Sequence, residues 1–220
     1  MTPRILAIDT TTEFGSIALI SAGAAVWETL LHSSAGFSGI LFDRIAQALA
    51  SGGWRLEDVD CFAAAAGPGS FTGVRVGLAA VKGLAEALGR PALGVSNLEA
   101  IAWHGTAPLR AAVADARRGQ IYGAVYDAEL RLVSPETVAA LSEWLAALPA
   151  GNLELLSPDA AAFRPALEGT RFEIREVPRA LAGAVGSIAE RRLLAGEAGD
   201  PAALDASYVR RSDAELFWRE

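Results

Sequence analysis

Two stretches of the sequence carry residues whose chemistry and spacing could handle a phosphate. The first is Asp9-Thr10-Thr11-Thr12, a carboxylate followed by three hydroxyls at the end of the apolar run "RILAI". The second is "AAAAGPGSFTGVRVG", residues 63–77, with glycine at 67, 69, 73 and 77 between an apolar run and a long helical pattern. Phosphate cradles have that setting, because glycine lets backbone amides at a helix start come close to an anion. The spacing nevertheless fails both common loops. A P-loop needs lysine and a hydroxyl directly after its last glycine, whereas Gly73 is followed by Val74 and Arg75. The dinucleotide pattern G-x-G-x-x-G is one residue shorter than "GPGSFTG", and no carboxylate ends the next apolar run, "PALGVSN".

Other chemistries are poorly supplied. A serine-hydrolase elbow needs glycine two residues before Ser70, where Pro68 stands. His32 and His104 are the only histidines, and neither is followed three or four residues later by a residue suited to zinc. Cys61, the single cysteine, lies in the apolar run "CFAAAA"; it is expected to be buried and inert, in a reducing compartment. A formal charge of −7 argues against unaided binding of nucleic acid, whose sequence-independent affinity comes from lysine and arginine. The opening "MTPRILAID" has too short an apolar run for a signal or a membrane span. A cytoplasmic globular protein with no membrane contact is expected.

The elements that must position these residues can be read from periodicity. The patterns at 4–9, 16–21 and 24–31 predict a three-stranded meander, followed by an amphipathic helix over 38–50 with Leu41, Phe42, Ile45, Ala48 and Leu49 on its inner face. A buried strand at 61–66 leads into a helix over 72–88, ended by Gly89 and Pro91. Ser96 and Glu99 form a capping box for a helix at 97–104. The texture then restarts with strands at 109–115, 120–127 and 130–134, and Ser134-Pro135 is expected to open a helix through Leu148. Strands at 153–157 and 171–177 alternate with helices near 158–168 and 179–195 before a closing segment, "DASYVRRSDAELF". The order strand, Asp, polar turn, strand, strand occurs at Asp9 and again at Asp115, which suggests an internal duplication and an α/β protein of two lobes.

The helix over 72–88 raises its own question. Gly73, Gly77 and Gly83 each cost about 1 kcal/mol relative to alanine inside a helix, so close approach of another backbone is expected to offset them. Val74, Leu78, Val81, Ala85 and Leu88 form one apolar face, and Gly73, Gly77, Ala80 and Leu84 line the adjacent one. The pattern fits either complete burial in its own fold or one face on the core and one on another subunit.

At "ILAIDTTTEFGSIALI", "AAAAGPGSFTGVRVGLAAVKGLA", "GVSNLEAIA", "DARRGQIY" and "SYVRR" the sequence resembles the bacterial tRNA threonylcarbamoyladenosine biosynthesis family TsaB, also called YeaZ. The resemblance runs in order through nearly the whole chain. It implies an actin-like (ASKHA, ribonuclease H-like) fold with a meander in each lobe and a shortened second lobe. The expected lobes are 1–105, completed by 205–220, and a degenerate 106–204. It also implies a non-catalytic partner of TsaD, the subunit that transfers threonylcarbamoyl to N6 of adenine 37 in tRNA. TsaE, an ATPase, joins that assembly, a homodimer forms when TsaD is absent, and tRNA is reached only through the complex.

In that family the two helices of the first lobe make the partner contact. Carried over, the expected interface is Ile40, Leu41 and Arg44 on the first helix. On the second it is Gly69, Ser70, Phe71, Thr72, Gly73, Val74, Arg75, Gly77 and Leu78. Asp9, Thr10, Thr11 and Thr12 match the first phosphate loop of the wider ATPase superfamily, and Asp115 the second. With the only Gly-Gly pair at 52 and 53, the resemblance implies a degenerate site. No cofactor is required, with weak ATP or ADP and Mg binding there or at the TsaD interface as the residual expectation. The competing reading is an ATP-dependent phosphotransferase acting alone through Asp9 and Asp115. Two positions depart from the family: "GFSGILF" at 36–42 lacks its usual His-Ser, and Gln120 replaces its glutamate.

Overall fold

The computed structural model describes residues 2–197, 199–207 and 209. Every residue of Ile5–Asp9 (β1) is buried, as suits a strand covered on both faces. It pairs antiparallel with Phe14–Ser21 (β2) and parallel with Cys61–Ala65 (β4). Ala24–His32 (β3) forms one edge and Ala92–Val95 (β5) the other, giving the order β3-β2-β1-β4-β5. A second sheet repeats the design. Leu109–Asp115 (β6), Gln120–Asp127 (β7) and Leu132–Ala140 (β8) form an antiparallel meander, and Leu153–Ser157 (β9) and Ile174–Glu176 (β10) run parallel to β6 on its other side. The order β10-β9-β6-β7-β8 matches the first sheet strand for strand, so the expected duplication holds in topology. Asp9 and Asp115 each end the first strand of a sheet.

Six α-helices accompany the sheets among the described residues: Leu41–Ser51 (α1), Phe71–Leu88 (α2), Asn97–Trp103 (α3), Leu141–Ala146 (α4), Ala160–Leu167 (α5) and Ala182–Leu194 (α6). The period-2 alternation of β2 divides its side chains between two layers. Ile17 and Leu19 join Leu6 and Ile8 beneath α1 and α2, where Leu41, Ile45, Val74, Leu78 and Val81 complete the core. On the other face α6 packs against β1 and β2, and Ser16 Oγ accepts from the amides of Leu181 and Ala182 at its start. The second sheet has its own core, in which Val113, Val125, Trp144, Leu155 and Phe163 meet. Cys61 is buried, and burial pushes its thiol up to about 12, as the inert reading requires. No helix among the described residues is long and apolar enough to cross a membrane.

Three expectations need correction. Residues 135–140 continue β8 and do not open a helix; only α4 is helical there. β8 is an edge strand with a register shift between the Gly123 and Val125 pairings, so Pro135 sits at a bulge where no ladder amide is needed. Phe42 is 58% exposed and takes no part in the inner face of α1. The compact units also divide differently. One comprises the chain up to Ala100 with Arg179–Ala206, and the other is centred on Ile101–Pro178. The reason is α6, which spends its apolar face on the first sheet and so carries residues expected in the second lobe back to the first. Of the segment expected to complete the first lobe, residues 208 and 210–220 lie outside the described residues.

Candidate functional site

The two phosphate-like stretches meet in the first unit. β1 delivers Asp9 to the start of the β1–β2 turn. β4 delivers residues 66–70, through a cis Gly67–Pro68 bond, to the first turn of α2. Ser70 caps α2 by accepting from the Gly73 amide at 3.3 Å, and its own amide donates to the Thr11 carbonyl at 2.7 Å. Thr10 Oγ1 donates to the Gly73 carbonyl at 2.7 Å. The missing side chains of the glycines make this fit possible. A Cβ on Gly69 would stand 2.7 Å from the Thr11 carbonyl oxygen, and one on Gly77 2.6 Å from Thr10 Oγ1. The expected close backbone is therefore the chain's own turn, and that corrects the assignment of this face to another subunit.

Beneath the turn lies a buried polar cluster. Asp9 is 1% exposed; its Oδ1 accepts from the Thr11 amide at 2.9 Å and from Thr11 Oγ1 at 2.6 Å. Asn97, the first residue of α3, donates from Nδ2 to Thr11 Oγ1 at 2.7 Å and accepts the Gly67 amide on Oδ1 at 3.1 Å. Burial raises the Asp9 carboxyl above its ordinary range, opposed by the hydrogen bonds from Thr11 and Asn97. Sequence reasoning missed Asn97. Its sequence signal is an amide two residues past the end of the short apolar strand at Val95. Ser96 Oγ does accept from the Leu98 amide, while Glu99 receives Arg192 with both oxygens.

Several of the groups that a magnesium and phosphate site would draw on are committed to the fold here. Asp9 is almost wholly enclosed, and its Oδ1 already accepts two hydrogen bonds from Thr11. The Thr11 amide is committed to Asp9, and the Thr12 hydroxyl bonds within its own turn, to Phe14. Glu13 adds a half-exposed carboxylate beside the hairpin, which repels phosphate. In the second unit Asp115 accepts from the Arg117 amide at 2.8 Å, with the Arg117 guanidinium 3.7 Å away. No group of three or more His, Cys, Asp or Glu able to hold a metal occurs among the described residues. His32 is a surface residue beside Glu13; His104 is largely buried, its pKa lowered by that burial and by Arg175. Clefts of about 640 and 830 Å3 occur in the second unit around α4, α5 and β10, and none of the expected site residues lines them.

The expected interface residues separate into two groups. Leu41, Val74, Gly77 and Leu78 are buried in the unit's own core, and Gly69 and Gly73 face the turn. Arg44, Ser70, Phe71, Thr72 and Arg75 are exposed, and Ile40 is half-buried. Phe71 is 46% exposed with the Arg75 guanidinium 3.6 Å above its ring. Thr72, Arg75, Ala79, Gly83 and Glu86 continue the exposed stripe along α2 at helical spacing.

Twin sheets of one strand order, each a meander extended by two parallel strands, define a two-lobed α/β protein of the actin-like, ASKHA class. A family model described as TsaD, tRNA N6-adenosine threonylcarbamoyltransferase, matches residues 32–172, and the chain belongs to that family. Its relatives include the tRNA threonylcarbamoyladenosine biosynthesis protein TsaB of Escherichia coli, 39% identical over 56% of this chain and 54% of that one. TsaB of Bacillus subtilis is 29% identical over 98% of each. The chain thus matches about half the length of the E. coli relative and nearly all of the B. subtilis one. YeaZ from Pseudomonas aeruginosa superposes with a TM-score of 0.79 at 27% identity, covering 94% of this chain and 99% of that one. The expected likeness to TsaB and YeaZ is borne out.

Proposed function

We propose that this chain is a non-catalytic subunit of the bacterial machinery that makes tRNA N6-threonylcarbamoyladenosine, and that it docks TsaD through the outward face of α1 and α2. The observation that carries the reading is a pair of exposed phenylalanines on helices whose inner faces are otherwise consumed by the core. Phe42 stands out of α1 and Phe71 out of α2, the latter stacked with Arg75. Exposed aromatic and arginine side chains are the residues that dominate interface energies. The relatives named TsaB support the pathway. Asp9, Thr10, Thr11 and Thr12 serve the fold in this reading, so the subunit needs no cofactor of its own, and weak ATP or ADP binding with Mg belongs to the complex with TsaD. TsaE joins that complex, tRNA meets it through TsaD, a second copy of this chain takes the same face when TsaD is absent, and the site of action is the cytoplasm.

Co-elution with purified TsaD on a sizing column tests the docking face. Gly83→Trp adds bulk where nothing lies within 4 Å, so it leaves the fold intact and abolishes co-elution. Retained co-elution overturns the face. Depleting the protein in its host should lower threonylcarbamoyladenosine in digested tRNA, and a normal level by mass spectrometry overturns the pathway.

A further inference from the structure

The polar groups beneath α2 form one continuous chain of hydrogen bonds. The Gly67 amide donates to Asn97 Oδ1, Asn97 Nδ2 donates to Thr11 Oγ1, and Thr11 Oγ1 donates to Asp9 Oδ1. Its direction is set at both ends, because an amide N–H can only donate and a carboxylate only accepts. Thr11 is central: its hydroxyl both gives and receives, its amide also binds Asp9, and its carbonyl holds the amide of Ser70, the cap of α2. All three side chains are buried. Buried chains of this kind fix one backbone arrangement, since any alternative leaves a polar group without a partner.

We propose that Asp9, Thr11 and Asn97 are positioning residues: their relay sets the first turn of α2, and so places Phe71 and Arg75 for the partner contact. The Thr11 carbonyl and the Thr10 hydroxyl are the turn's contacts with the start of that helix. This inference rests on the reading of α2 as the TsaD-binding element.

Thr11→Val, close to isosteric, deletes both hydroxyl bonds, and Thr11→Ser keeps them. Hydrogen exchange in the full-length chain should show the amides of Ser70, Gly73 and Val74 exchanging about tenfold faster in Thr11→Val, as expected for loss of about one net hydrogen bond. The amides of β2 should change much less. TsaD affinity should fall by about the same factor, and Thr11→Ser should restore both readouts. Asn97→Ala should reproduce the Val variant. The proposal is overturned if the start of α2 exchanges at the wild-type rate, if acceleration spreads evenly over β2 and α2, or if exchange rises with TsaD affinity unchanged. It is also overturned if neither variant folds, because the relay then serves the fold alone. Should the wild-type chain not bind TsaD, the docking reading falls, and exchange at Ser70 to Val74 still decides the positioning role.

Discussion

The carbonyl oxygen of Thr10 lies 2.1 Å from the place a Cβ on Gly73 would occupy. Backbone blocks that position, so no side-chain movement can make room. Gly73→Ala should destabilise the protein by about 3 kcal/mol or more, near the upper end for overpacking. Gly83 lies on the same helix with nothing within 4 Å, and Gly83→Ala should stabilise by about 1 kcal/mol. Urea unfolding of the two variants checks this, and a shift in the same direction for both would contradict the packing described for α2.

The turn between β2 and β3 offers a second stabilising change. Ala22 has φ of 57° and Gly23 of 78°, the left-handed pair that a two-residue hairpin requires. Alanine is strained there, whereas asparagine is favoured. Ala22→Asn, at an exposed position, should raise stability by about 1 kcal/mol, read as a higher denaturation midpoint.

Asp9 gives a pH dependence whose sign follows from its burial. Its carboxyl is held above its ordinary value of 3.8, so between that value and its raised one the folded chain binds more protons than the unfolded chain. This contribution to stability is fully present below 3.8 and is lost as the pH rises through the folded value. Asp9→Asn does not titrate at this position. Its stability relative to the wild type should therefore improve as the pH rises from about 4 to about 7, and unfolding curves across that range should not give a constant difference.

Enclosure of the same carboxylate bears on the phosphotransferase alternative. The purified chain alone should release no phosphate from ATP above a buffer blank, and Asp9→Ala should leave that result unchanged. Turnover abolished by Asp9→Ala would reinstate Asp9 as a catalytic group.

Much of the fold was legible because its signals are local. Alternation and apolar runs located most of the strands among the described residues, and the recurrence at Asp9 and Asp115 announced the matching sheets. The continuation of β8 past Pro135 was not legible, since tolerance of proline depends on an edge and a bulge that only pairing creates. The site was half legible. Its glycines declared a close approach, but periodicity cannot say whose backbone approaches, and Asn97 acquires its role only when β5 brings it beside Thr11. Phe42 lies beside Leu41 at the margin of the apolar arc of α1, where composition alone cannot separate buried from exposed.

The return of α6 to the first sheet also sets a timetable for synthesis. The opening hundred residues leave the ribosome long before the helix that covers β1 and β2 on one face. At about 5–20 residues per second, that face waits several seconds for its cover. The stretch from Ile101 to Pro178 has its own sheet and core and can consolidate first. The nascent first unit is then open on the face that α6 covers until that helix has been made.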